Sequence, residues 1–193
     1  MTVSARSRLE SLLRQRGRVV WLTGLSGSGK STIARGLMDR LLAEGRPCTH
    51  LDGDRLRAGL NRDLGYDAAS RHENVRRIGA VAAMVAETGL IAIVSCISPF
   101  RAGRQQAREA CPPGTFLEVF VSTPFAVCEQ RDTKGLYARA RAGSLCNLTG
   151  LDHPYEAPED PDLVCDAARE PIAACVDRIH ATLVRLGTWD GDR

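Results

Sequence analysis

The densest chemistry in this sequence sits in eight consecutive residues, Gly24-Leu25-Ser26-Gly27-Ser28-Gly29-Lys30-Ser31, with Thr32 directly after them. They match G-x-x-x-x-G-K-[ST] in full. Glycines at this spacing let successive backbone N–H groups turn inward and cradle phosphate oxygens. Lys30 supplies the cation for the outer phosphates, and the Ser31 hydroxyl suits a Mg²⁺ ligand. A helix starting here adds the partial positive charge of its N-terminus. The expected ligands are ATP and Mg²⁺.

That loop alone does not separate kinases, GTPases and motor ATPases, so the acidic residues decide. No N-K-x-D guanine motif occurs. Asp132-Thr133-Lys134-Gly135 matches D-x-x-G, but it falls on a predicted helix after the fourth strand, the wrong place for a nucleotide switch. The predicted strand Leu90–Ser95 does not end in an acid, so the usual metal-side carboxylate is missing there. Asp52 and Asp54, beyond the neighbouring strand, are the nearest substitutes. An acid in that place fits a small-molecule kinase, where it holds metal through water or accepts the proton of the attacking hydroxyl.

These residues need a scaffold, and the hydrophobic pattern predicts one. Arg18–Thr23 reads as a buried strand before the loop, and Lys30–Ala43 as a helix after it, with Ile33, Leu37, Leu41 and Leu42 on one face. Cys48–Leu51 is a short strand ending at Asp52. Ser70–Thr88 reads as a helix with Ser70 and Glu73 as a capping box. Leu90–Ser95, Phe116–Ser122 and Leu163–Cys165 complete the strands, with helices from Pro124 and over Pro171–Leu186. Short β-branched runs alternating with helices predict a parallel sheet wrapped by helices, which binds ligands at the carboxyl ends of its strands. The stretch 143–161 carries Gly143, Gly150, Pro154, Pro158 and Pro161 without sustained periodicity, and reads as a lid.

The 193 residues suffice for one such domain. A net charge of +3 suits a small anionic substrate and does not call for nucleic acid. Of 26 basic residues only Lys30 and Lys134 are lysines. Seven scattered cysteines without a C-x-x-C argue for reduced thiols and a cytoplasmic protein, not a disulfide framework or zinc site. The longest apolar run, around Leu90–Val94, is too short to span a bilayer. The first 18 residues are Arg-rich with one acid, Glu10, a faint likeness to a transit peptide; a short amphipathic helix is the simpler reading.

Further motifs make the reading more specific. Leu51-Asp52-Gly53-Asp54-Arg55-Leu56-Arg57 is followed by Gly59–Tyr66, then by Arg71-His72-Glu73-Asn74-Val75-Arg76-Arg77 and Ile97-Ser98-Pro99-Phe100-Arg101. Glu129–Tyr137 and Tyr155-Glu156-Ala157-Pro158-Glu159 continue the series. Together with the phosphate loop, these segments closely resemble the adenylylsulfate kinase family, from about Gly17 to Leu186. The resemblance implies a three-layer α/β sandwich of P-loop type, with a mostly parallel five-stranded sheet flanked by helices and a lid at about 134–161. The domain would span 18–187, between a helical extension at 1–17 and a tail at 188–193. The implied reaction is ATP-dependent phosphorylation of the 3′-hydroxyl of adenosine 5′-phosphosulfate (APS), giving ADP and 3′-phosphoadenosine 5′-phosphosulfate (PAPS). A homodimer, with a separate ATP sulfurylase supplying the substrate, is implied as well.

Carried over residue by residue, the resemblance assigns roles. Asp54 orients or deprotonates the hydroxyl, and Asp52 joins Ser31 at the metal. Arg57, Arg71 and Asn74 bind the phosphosulfate and ribose, where a guanidinium fork matches the oxygens. Tyr66 stands where the family stacks an aromatic ring on the APS adenine. Ile97 and Ser98 meet the same adenosine, Lys134 reaches the substrate, and Arg131 flanks the ATP base or phosphates. The serine matching Ser98 is commonly assigned a phosphoserine role, which in-line transfer does not require. The chain departs from the family pattern at Cys146-Asn147-Leu148-Thr149-Gly150: Leu148 replaces a lid phenylalanine, and Cys146 a residue that is often basic. The alternatives are a P-loop kinase for a related adenylylated or other small substrate, and a nucleotide-binding regulatory protein.

Overall fold

The computed structural model describes residues 4–189. Residues 1–3 of the expected extension and 190–193 of the expected tail lie outside it. The elements run α1 (Ala5–Leu13), β1 (Arg18–Thr23), α2 (Lys30–Ala43), β2 (Cys48–Asp52), α3 (Gly53–Ala58), α4 (Ala68–Glu87) and β3 (Ile91–Ser95). They continue with α5 (Arg101–Glu109), β4 (Phe116–Val121), α6 (Phe125–Arg131), α7 (Leu136–Arg141), β5 (Leu163–Cys165) and α8 (Ile172–Arg185).

The five strands form one sheet in the order β2-β3-β1-β4-β5, and every pairing is parallel. Successive side chains on a strand face opposite sides, so β1 feeds two cores. Val20 and Leu22 join Ile33, Leu37 and Leu41 of α2 and Ile179 and Leu183 of α8. Val19 and Trp21 join Val75, Ile78 and Ala82 of α4 and Ala107 of α5. All six residues of β1 are buried, as a central strand covered on both faces requires. This order sets the carboxyl ends of β1, β2 and β3 side by side, which positions the phosphate loop beside Asp52 and the Cys96–Pro99 segment.

Several expectations need correction. Leu42 is exposed; the buried stripe of α2 runs through Ile33, Ala34, Leu37 and Leu41. Helix α4 begins two residues earlier than expected and is capped by Asp67, whose carboxylate accepts the Ser70 N–H. Glu73 does not close a capping box but pairs with Arg76 and Arg77. Asp132–Gly135 is not helical: α6 stops at Arg131, and Asp132 turns to receive the N–H groups of Tyr137 and Ala138. The helices α3 and α7, of six residues each, are too short to display a periodicity, and α5 is so polar that few apolar residues mark its inner face.

Candidate active site

Segments from seven places in the sequence line one cavity of about 860 Å³. The phosphate loop forms one side. Gly24, Gly27 and Gly29 all have positive φ, and at Gly24 the demand is steric as well: a Cβ there would lie 2.6 Å from the Val121 carbonyl. Lys30 Nζ donates to the Leu25 carbonyl at 2.6 Å and to Ser28 Oγ at 3.3 Å. Burial lowers its pKa to about 8. Ser26, Gly27, Gly29, Lys30, Ser31 and Thr32 line the cavity; Gly24, Leu25 and Ser28 stand behind them and shape the loop. Arg131 donates to the Ala167 carbonyl at 2.7 Å and to Gly27 at 3.4 Å, and so ties α6 to the loop.

Asp52 ends β2 beneath Ser31, which donates to its Oδ2 at 2.8 Å. Ser95 donates to the same oxygen at 3.0 Å, and the N–H groups of Asp54 and Arg55 reach Oδ1 at 3.0 and 3.3 Å. Burial alone would raise the Asp52 pKa; these hydrogen bonds outweigh it and hold the carboxyl below its ordinary range. Asp54, in the first turn of α3, lines the cavity and pairs with Lys134 from the α6–α7 loop.

The opposite side is built from α4 and the chain leading into it. Tyr66 is half exposed, with the Arg57 guanidinium 4.5 Å and that of Arg71 5.9 Å from its ring centre. Arg71 also donates to the carbonyls of Tyr66 and Asn147, joining α4 to the lid. Asn74 accepts from the buried Asn61 at 3.0 Å. Ile97 and Ser98 line the cavity floor, and their carbonyls are already engaged by Thr23 at 2.8 Å and Arg104 at 2.7 Å. Ser98 has a left-handed backbone, φ 41°. Its hydroxyl donates to Thr23 at 2.9 Å and accepts from the Trp21 indole at 3.1 Å.

The lid is held by its own bonds. Asp152 receives the Leu148 N–H at 2.8 Å, and His153 meets Asn147 Oδ1 at 2.7 Å. Leu148 lines the cavity and also packs with Cys128 and Tyr137 in an apolar cluster under the lid. Tyr137 donates to the Ser26 carbonyl at 3.0 Å, so this cluster rests on the phosphate loop.

Sequence reasoning missed several contributors. Ser95 and His50 stand behind Asp52, and period-two alternation on β2 and β3 was the available signal. Arg104 is buried and grips Glu118, Ser98 and Glu156, but nothing in a run as polar as α5 marks it as internal. Arg35 and Arg139 add to the cationic lining.

A parallel sheet with a phosphate loop after its first strand, a carboxylate beneath the loop and a second cationic, aromatic wall opposite defines a P-loop kinase. The adenylylsulphate kinase family model matches residues 16–166. An adenylyl-sulfate kinase of Synechococcus sp. (strain JA-3-3Ab) is 51% identical over 169 residues, covering 88% of this chain and 95% of the relative. The bifunctional enzyme NodQ of Azospirillum brasilense is 53% identical over 177 residues; 92% of this chain is covered, and it spans 28% of that longer protein. The structure of the Mycobacterium tuberculosis APS kinase CysC in complex with AMPPNP and APS superposes with a TM-score of 0.84 at 43% identity, covering 88% of this chain and 99% of that one. The chain belongs to the adenylylsulphate kinase family.

Proposed function

We propose that this chain is an adenylyl-sulfate kinase that moves the γ-phosphate of ATP to the 3′-hydroxyl of APS, releasing ADP and PAPS. One observation carries the reading: a single cavity has the phosphate loop on one side, Tyr66, Arg71 and Asn74 on the other, and Asp54 with Lys134 between them.

Each side then has its work. Backbone N–H groups of the loop and Lys30 hold the ATP phosphates, and Arg131 flanks the nucleotide. The donor set of Ser31 and Asp52 is hard oxygen, which fits Mg²⁺. Among the described residues no three His, Cys, Asp or Glu side chains cluster as a metal site, so phosphate oxygens and water would complete the shell. Bound there, Mg²⁺ supplies charge neutralisation at the transferred phosphoryl group. Tyr66 stacks on the APS adenine, while Arg57, Arg71 and Asn74 take the phosphosulfate and ribose. Ile97 and Ser98 pack against the adenosine, with Asn147 and Leu148 covering it from the lid. Asp54 accepts the proton of the 3′-hydroxyl as it attacks in line, and Lys134 turns from Asp54 to the phosphates as charge develops. Ser98 lines the pocket without carrying phosphate, since its hydroxyl is committed to Thr23 and Trp21.

The reading includes a homodimer supplied with APS by a separate ATP sulfurylase. All seven cysteines are free thiols, which supports a reducing, cytoplasmic setting. No helix among the described residues is long and apolar enough to cross a membrane. The deciding assay is incubation with Mg·ATP and APS, with PAPS as the expected product. Turnover with a different adenylylated acceptor and none with APS would transfer the same machinery to another substrate; ATP binding without any turnover would leave a regulatory protein.

A further inference from the structure

The sheet register places a histidine beneath the proposed magnesium donors. Asp52 pairs with Ser95 across β2 and β3, and His50 lies two residues back on β2, on the same face. The side chains bond in series. His50 Nε2 is 2.8 Å from Ser95 Oγ, Ser95 Oγ is 3.0 Å from Asp52 Oδ2, and Ser31 Oγ is 2.8 Å from the same Oδ2. His50 itself stands 3.8 Å from Asp52, beyond direct bonding.

Counting protons assigns each role. A hydroxyl has one proton to give, and an ionised carboxylate has none. Ser31 and Ser95 each give theirs to Asp52 Oδ2. The Ser95 oxygen is then only an acceptor toward the ring, so His50 Nε2 carries a hydrogen. With Nε2 bare, Ser95 would turn its proton to the ring and face Asp52 with lone pairs at 3.0 Å, acceptor against acceptor.

We propose that His50 is a positioning residue for the magnesium site: its Nε2–H holds Ser95 as a donor to Asp52 and thereby keeps the carboxylate beside Ser31. The proposal rests on the reading of Ser31 and Asp52 as the protein donors to the metal. Outer partners of this kind orient a ligand oxygen and fix its basicity. His50 is not part of the cavity lining, and its one hydrogen bond toward the site runs to Ser95, with Asp52 3.8 Å away.

Two measurements test it. Long-range ¹H–¹⁵N correlation spectra of the wild-type protein are expected to show His50 as the Nε2–H tautomer; an Nδ1–H tautomer overturns the proposal. Calorimetry of ATP binding with and without Mg²⁺ gives the second readout, which does not depend on turnover. His50→Leu is expected to cut the Mg²⁺-dependent gain in ATP affinity about tenfold and leave metal-free ATP binding unchanged. His50→Gln, whose amide N–H can take the place of Nε2–H, is expected to restore most of that gain. An unchanged gain in His50→Leu, an equal loss in both variants, or a matching loss of metal-free binding overturns the proposal. Asp52→Asn separates this inference from its premise. If Asp52→Asn leaves the Mg²⁺ effect intact, the metal-donor reading itself fails. If Asp52→Asn abolishes the effect while His50→Leu spares it, only the role of His50 fails.

Discussion

Lys134 and Asp54 form an ion pair across the cavity, one from the loop between α6 and α7 and the other from the first turn of α3. Both side chains remain substantially exposed, at 46% and 67%. Pairs so open to water contribute about 0–1 kcal/mol. On the proposed reading, an arriving phosphate would draw Lys134 away at little cost and leave Asp54 to act as the base.

Asp54→Asn removes that base and keeps the shape. Its kcat is expected to fall about a hundredfold or more, the size of a general-base contribution, with ATP affinity held within about twofold. Steady-state kinetics with a parallel ATP titration reads both quantities. Near-normal kcat would take Asp54 out of the reaction.

Lys30 gives the site a pH signature. Burial lowers its pKa from 10.5 to about 8, so between these values the unfolded chain binds the proton and the folded chain does not. The contribution of Lys30 to stability accordingly rises with pH through that window and is lost as pH falls toward about 8. Phosphates favour the charged ammonium, so ATP binding above that pH draws a proton from solvent. Calorimetry in buffers of different ionisation enthalpy should detect the uptake in wild type and not in Lys30→Met.

Ser98→Ala tests the phosphoserine role. The hydroxyl is buried and serves Thr23 and Trp21, so its loss is expected to cost about 1 kcal/mol of stability and to leave kcat within a few-fold of wild type. Denaturant midpoints and kinetics suffice. Abolished turnover in a folded Ser98→Ala protein would restore serine chemistry.

Tyr66 is expected to act on one substrate only. Tyr66→Ala should raise the KM for APS about tenfold, in line with the loss of one base–aromatic stack, and leave the KM for ATP unchanged. Tyr66→Phe keeps the ring and should remain close to wild type. Equal effects on both substrates would mean that Tyr66 merely packs its loop.

Arg104 connects stability to the acceptor wall. Its guanidinium serves Glu118 at 2.7 Å, the Ser98 carbonyl at 2.7 Å and the Glu156 carbonyl at 2.8 Å. Arg104→Met leaves Glu118 with only Arg108, at 3.5 Å, and should destabilise the fold by about 3 kcal/mol. It should also raise the KM for APS, because Ser98 and Glu156 lose their shared donor. Chemical denaturation and substrate titration together distinguish this from loss of stability alone.

How much was legible in advance depended on whether a residue acts through its neighbours in the chain or across the fold. The phosphate loop is local: strand, glycines, lysine and helix start follow one another, so Gly24–Thr32 could be read directly. The central strands β1, β3 and β4 were equally plain, because strands covered on both faces are largely apolar, whereas the edge strands β2 and β5 are only partly buried. The start of α4 was misplaced because Ser70 and Glu73 imitate a capping box, while Asp67 captures the Ser70 N–H first and Arg76 and Arg77 take Glu73. His50 and Ser95 escaped notice because they are 45 residues apart and meet only through strand register. Arg104 looked like one more surface arginine of α5 until β4 supplied Glu118. Leu148 was legible only as the replacement of a lid phenylalanine; in the fold it also belongs to the apolar cluster with Tyr137.

The scarcity of lysine has a practical consequence. The chain has two, Lys30 and Lys134, and both line the same cavity. Apart from the terminal amine, every primary amine of the protein therefore belongs to the candidate active site. With the terminal amine blocked, an amine-directed acylating reagent modifies that site alone, and ¹⁵N-lysine labelling yields two lysine signals, one from the phosphate loop and one from the loop between α6 and α7.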